Sequence, residues 1–309
     1  MEIRYNNKRD QGKRSGEKMS DKLISSLAFD KTVRGFAVDA TATVQEAQRR
    51  HQATGAGAVA LGNVLLGTLL MSAAGLKGDQ TLSVKVMGDG PAGLIVADGR
   101  SDGTIKGYLQ YPQITVPEDP AHQIAVHEAV GTQGTITVTK DLGLKQPYNG
   151  QTPLASGDIG ADLTYYLAAS EQIPASMGLA VHLAADGMVD AAGGFLVEMM
   201  PGATDDTATA LETQIKALPQ LIDWLPEDHT PADLLDAVLG AKQQILATQP
   251  VAFQCDCSKE RFAKALAGLK PAQLQQMITD DHGAEAVCRF CQTHYQFSEA
   301  ELKALLPTE

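Results

Sequence analysis

"CDCSKERF" (residues 255–262) and "CRFCQTHY" (residues 288–295) carry all four cysteines of a 309-residue chain. One pair is C-x-C, the other C-x-x-C, and thirty residues separate them. Two thiols one residue apart are badly placed for a disulfide, whereas each short pair can aim two sulfurs at one ion from a single turn. Zinc takes tetrahedral four-thiolate sets of this kind. Two structural disulfides, or four unrelated buried thiols, are the competing readings. The N-terminal charges are not followed by the apolar stretch a secretory signal requires, so a reducing, cytoplasmic setting that keeps thiols free is expected. Cys255, Cys257, Cys288 and Cys291 are therefore the candidate ligands of one Zn2+ per chain. His282 and His294 are nearby, but four thiolates already complete the shell, and both histidines are read as bystanders.

The segment around the cysteines, residues 251–309, forms a small unit. Pro271 opens a helix, "CRFCQTHYQF" places a turn between short strands, and Ser298 with Glu301 forms a capping box beside a Phe297–Leu302 staple. So short a unit builds little core and needs a metal or disulfides to hold. It carries six basic and eight acidic residues, a poor match to a nucleic-acid zinc ribbon. The whole chain, at net charge −12, lacks the basic surplus that phosphate binding needs and is ill suited to anionic membranes. A C-x-x-C this late, outside a strand–helix context, does not read as a thioredoxin-type motif.

Before this unit, residues 202–250 show helix signals and no strand-like alternation. Thr230-Pro231 supplies an N-cap and a first-turn proline, and "ADLLDAVLG" stops at Gly240. Leu211, Ile215, Leu218, Leu221, Ile222, Trp224, Leu234, Leu235 and Val238 need a surface to cover, so this helical linker is expected to lie on the preceding domain. That domain, residues 19–201, mixes helices with alternating strands. "TLSVKVM" (81–87), "GLIVADG", "TIKGYLQ" and "GTITVTK" read as strands, "GADLTYYLAASEQ" as a helix, and the stretch around Asp186-Gly187 as a hairpin. The fold class expected is α+β, with a mainly antiparallel sheet in an N-terminal core domain, a helical linker and a four-cysteine C-terminal domain.

Three features invite other readings. "GAVALGNVLLGTLLMSAAGL" (57–76) has the length of a membrane span, but its four glycines, Asn63, Thr68 and Ser72, with Leu61, Leu65 and Leu69 at helical spacing, favour a buried core helix. Gly88–Gly93 is a formal G-x-G-x-x-G, yet a strand follows rather than a helix, so a hairpin turn is expected. The arginines of "QRRH" (48–51) read as a solvated helix face. Residues 1–18, with six basic and three acidic side chains, read as a disordered extension or an upstream translation start before Met19. No enzyme motif emerges.

Over residues 19–309 the chain resembles the 33 kDa chaperonin, or 33 kDa heat-shock protein, family of redox-regulated holdases. The resemblance is carried by "EAQRRH", "LKGDQTLSVKVMGDGPAGLIVAD", "AVGTQGTITVTKDLG", "TYYLAASEQIP", "AAGGFLVEMMPG" and the C-D-C-S-K-E-R-F…C-x-x-C block. It implies an ATP-independent chaperone, not an enzyme, that is inactive when reduced and zinc-bound and binds unfolding client proteins when oxidised. By motif, it implies that Cys255, Cys257, Cys288 and Cys291 ligate zinc. It further implies that the oxidised pairs are Cys255–Cys257 and Cys288–Cys291, and that the oxidised chain forms a homodimer. The physics of the residues suits such a switch. A zinc-bound thiol is deprotonated and open to oxidants, and structural zinc contributes on the order of 10–16 kcal/mol to comparable small domains. Removing two ligands by oxidation is then expected to dismantle the unit. A zinc protein without a redox role and a thiol–disulfide oxidoreductase are the rival functions.

Overall fold

The structure is a computed structural model that describes residues 21–116, 125–227 and 229–306. The N-terminal extension expected over residues 1–18 lies outside the described residues. The first third holds β1 (Lys22–Ala28), β2 (Val33–Asp39), α1 (Thr41–His51), α2 (Gly55–Gly75), β3 (Thr81–Gly88), β4 (Leu94–Arg100) and β5 (Thr104–Leu109). Next come β6 (Gln113–Ile114), α3 (Val126–Val130), β7 (Gly134–Asp141), β8 (Tyr148–Pro153), α4 (Ile159–Ser170), β9 (Ala175–Leu183) and β10 (Val189–Met199). The chain continues through α5 (Asp205–Ala217), α6 (Leu221–Trp224), α7 (Pro231–Leu239), β11 (Gln244–Pro250) and β12 (Ala252–Phe253). It closes with α8 (Lys259–Ala267), α9 (Pro271–Asp280), β13 (Gly283–Val287), β14 (His294–Ser298) and α10 (Glu299–Lys303).

Two sheets sandwich one helix. The first has strand order β11-β1-β2-β10-β9 and the second β12-β5-β4-β3-β7-β8. Every pairing in them is antiparallel except β12 with β5. Helix α2 lies between, against β3, β4 and β5 on one side and β2, β9 and β10 on the other. This explains a sequence apolar all round: a helix with sheet on both sides has no face for solvent. Leu61, Leu65, Leu66, Leu69 and Leu70 are fully buried, and 89% of the apolar window is covered by protein. Glycine permits the close approach, since a Cβ at Gly67 would lie 2.3 Å from a Leu163 methyl.

The strands expected at β3, β4, β5 and β7 alternate buried and less buried residues as read. Gly88–Gly93 is the β3–β4 hairpin turn and opens no helix. Asp186-Gly187 turns the β9–β10 hairpin, with Gly187 at φ 80°.

The helices α5, α6 and α7 cover the outer side of the first sheet. Leu211, Leu234, Leu235, Val238 and Leu239 pack with Ile24, Ala37, Phe195 and Val197, and Trp224 joins them half-buried. Thr230 caps α7 through a capping box with Asp233, and Gly240 ends it in the left-handed region. One expectation needs correction. Residues 202–250 are not helical throughout, because Gln244–Pro250 forms β11 and pairs with β1. β11 is a sheet edge with nearly every residue exposed, so neither face imposes the alternation by which strands are read.

Beyond β12, the α8, α9, β13, β14 and α10 segment builds its own core on four buried residues, Leu274, Ile278, Phe297 and Leu302. The Ser298–Glu301 capping box forms as read.

Candidate metal centre

Four cysteines reach one point from two directions. Cys255 and Cys257 lie in the extended stretch after β12, where Ser258 caps α8 by accepting from Arg261 N–H. Cys288 and Cys291 lie in the turn joining β13 to β14, closed by Cys288 N–H donating to Thr293 O and Gln292 N–H to Cys288 O. The four sulfurs all lie within 4.8 Å of one another. Across the pairs, Cys255 Sγ is 3.7 Å from Cys288 Sγ, and Cys257 Sγ is 3.3 Å from Cys291 Sγ. A zinc tetrathiolate with bonds of about 2.3 Å has sulfur–sulfur edges of about 3.8 Å, so the donor set and its size fit the ion. His282 and His294 stand outside the cluster, on the surface beside Glu299 and Glu285 respectively.

Neighbouring groups divide the sulfurs. Burial pushes the Cys255 and Cys288 thiols up. Burial opposes ionisation of Cys291 too, but bonding with Thr293, Cys257 and Cys288 outweighs it and brings this thiol down to about 7. Thr293 Oγ1 is 3.2 Å from Cys291 Sγ. Tyr295 OH lies 3.1 Å from Cys257 Sγ and donates to Cys257 O at 3.1 Å. Each pair therefore has one sulfur beside a hydroxyl.

The centre is also held from outside its own unit, and here the reading of "QRRH" is corrected. Arg49 is solvated and paired with Glu46, but Arg50 donates to Cys291 O at 3.0 Å. His51 is buried, with Nε2 donating to Gly107 O at 2.9 Å and Phe290 O at 3.0 Å, while Nδ1 faces Gln292 Nε2. Burial lowers the His51 pKa, and the two carbonyls keep the proton on Nε2. Phe290, between Cys288 and Cys291, meets Tyr108 of β5 edge-on and lies under Lys106. Asp256, between Cys255 and Cys257, pairs with Lys106, Arg100 and Arg261. Lys106 above all holds its carboxyl well below the usual range. A signal for this face was present in α1: Val44, Ala47, Gln48 and His51 fall at i, i+3, i+4 and i+7 and are all buried, so Gln48 and His51 extend an apolar helical stripe.

Fold and site together define a class: a two-sheet α+β protein with a C-terminal four-thiol centre docked on its core. Comparison then gives the family. The family model described as "Hsp33 protein" matches residues 21–298, and the chain belongs to that family. It is 52% identical over 290 residues to a 33 kDa chaperonin of Levilactobacillus brevis, covering 93% of this chain and 98% of the relative. It is 47% identical over 289 residues to the 33 kDa chaperonin of Latilactobacillus sakei subsp. sakei, covering 93% and 99%. The solved 33 kDa chaperonin (heat shock protein 33 homolog) of Thermotoga maritima superposes with a TM-score of 0.86. That match has 34% identity and covers 93% of this chain and 97% of the other. The chain is a chaperone of this family.

Proposed function

We propose that this chaperone is a redox-regulated, ATP-independent holdase: silent when reduced and zinc-bound, active in binding unfolding proteins once oxidised. The observation that carries the reading is the pairing of a four-sulfur cluster of zinc dimensions with a unit whose own hydrophobic core has, among the described residues, four buried side chains beside the cysteines. Cys255, Cys257, Cys288 and Cys291 are the proposed ligands of one Zn2+. When bound, zinc would hold all four sulfurs as thiolates and staple the unit. The working division of the chain is a core over 19–201, a linker over 202–250 and a switch unit over 251–309.

The cysteines do the chemistry. A peroxide takes two electrons from one pair, Cys288–Cys291 or Cys255–Cys257. Its O–O bond breaks, one S–S bond forms, and the oxygens leave as hydroxide that ends as water. The bridged pair no longer offers two thiolates, so the centre loses half its donors. Leu274, Ile278, Phe297 and Leu302 are then left without their staple. The docking of Phe290 and Asp256 on β5 is lost with the turn that presents them. The oxidised chain is further proposed to dimerise, to act in the cytoplasm and to perform no catalysis.

Aggregation of a thermally unfolding client, followed by light scattering with reduced or peroxide-treated protein, tests this. Protection is expected only after oxidation. Equal protection in both states, or none in either, counts against the switch. Catalysed dithiol exchange without protection would favour an oxidoreductase instead.

A further inference from the structure

The second sheet packs one face on α2 and turns the other outward. Register lines up Lys85, Val96 and Tyr108 in a row across β3, β4 and β5, with Ser83, Asp98 and Lys106 in the next. Met87 stands on the same face, 44% exposed. Three cations, Lys85, Arg100 and Lys106, thus share a sheet face with one carboxylate, Asp98, an aromatic ring and a flexible thioether, a local basic surplus on a chain of net charge −12.

Among the described residues, Phe290 and Asp256 cover the β5 end of this face, and they show what it accepts. Phe290 stands against Tyr108 with ring centroids 5.1 Å apart, and Lys106 Nζ lies 4.9 Å from its centroid. The Asp256 carboxylate takes Lys106 at 2.6 Å and Arg100 at 3.2 Å. Lys106 touches both, so an aromatic subsite and an anionic subsite adjoin. Each is filled by a residue lodged inside one of the cysteine pairs.

We propose that this face is a client-binding surface, occupied in the reduced protein by Phe290 and Asp256. After they withdraw, it takes unfolded segments in which an aromatic residue lies near a carboxylate. The inference rests on the holdase reading above. Aromatic edges and cation–π contacts tolerate many sequences around them, and Met87 can refill gaps as partners change. The cations supply discrimination, since a basic segment would set like charges against Lys85, Arg100 and Lys106.

The test uses the full chain and two fluorescent twelve-residue peptides, one repeating Asp-Gly-Phe and the other Lys-Gly-Phe, read by anisotropy. Oxidised protein is expected to bind the acidic peptide at least about tenfold more tightly than the basic one, and reduced zinc-loaded protein to bind it at least about tenfold more weakly. The double variant R100Q/K106Q in the oxidised state should lose about fivefold or more in affinity for the acidic peptide. Because the variant can also misfold, an acidic peptide with benzophenone in place of one phenyl ring is crosslinked to the oxidised natural sequence. The adducts should map to β3–β5. Equal affinity for the two peptides, no binding of either, or adducts confined elsewhere overturns the proposal. An oxidised protein that fails to protect clients at all overturns the holdase reading instead, so the two failures are separable.

Discussion

Sulfur geometry at the centre sets the first expectations. A tetrahedron of four sulfurs needs both pairs, so metal analysis of reduced protein should give one zinc per chain, and X-ray absorption should show a sulfur-only shell. Cys288→Ser should abolish stoichiometric zinc, and retention of a full equivalent would contradict the four-sulfur assignment. The order of oxidation follows from spacing. Residues 255 and 257 must distort the backbone to reach disulfide geometry, whereas 288 and 291 sit astride a turn. Mass spectrometry after limiting peroxide should find Cys288–Cys291 bridged first; a 255–257 bridge with 288 and 291 still reduced reverses that order. The four-cysteine cluster was legible in the sequence because short cysteine spacings need little else to be interpreted. Tyr295, Phe290, Asp256 and His51 were not, since their roles come from contacts across 38 to 241 positions of chain that no local pattern records.

Among the elements, α2 and the linker carry opposite loads. Leu66 is fully enclosed between the two sheets, so Leu66→Ala should cost about 2–5 kcal/mol, read as a lower denaturation midpoint. A cost below about 0.5 kcal/mol, the level of ordinary surface substitutions, would mean the helix is not the shared core. The linker helices present a single amphipathic face, and Trp224 reports on them. It stacks on His229, with centroids 3.9 Å apart, and packs against the first sheet. If the switch unit steadies the linker, oxidant with mild heat should shift Trp224 emission to the red and increase hydrophobic dye binding, reversed by reductant and zinc. Unchanged emission alongside full client protection would mean the linker is not the moving part. Helical spacing revealed α2, and the Thr230-Pro231 start and Gly240 stop revealed α7, because both leave local signals in the chain. Periodicity missed β11, whose residues face solvent on both sides and owe their strand to backbone pairing alone.

At the scale of the whole molecule, the fold joins a heavily buried core to a unit that its metal is expected to hold together. Structural zinc contributes on the order of 10–16 kcal/mol in comparable small domains, as much as the whole stability of a typical protein. Loss of the ion should therefore unfold the C-terminal unit while the two sheets around α2 remain. A chelator such as EDTA, added to reduced protein, separates the metal from the disulfide. Proteolysis should then cut within 251–306 and spare the core, and simultaneous cutting of β3–β5 would argue for one cooperative unit. The central claim is that metal loss and chaperone activity are one event. It is tested most directly by following both in a single sample during peroxide treatment at mildly raised temperature, zinc with a chromogenic chelator and client aggregation by light scattering. The account predicts that protection rises in step with zinc release and that both reverse with reductant and zinc. Full protection while one zinc per chain stays bound to four sulfurs would contradict it.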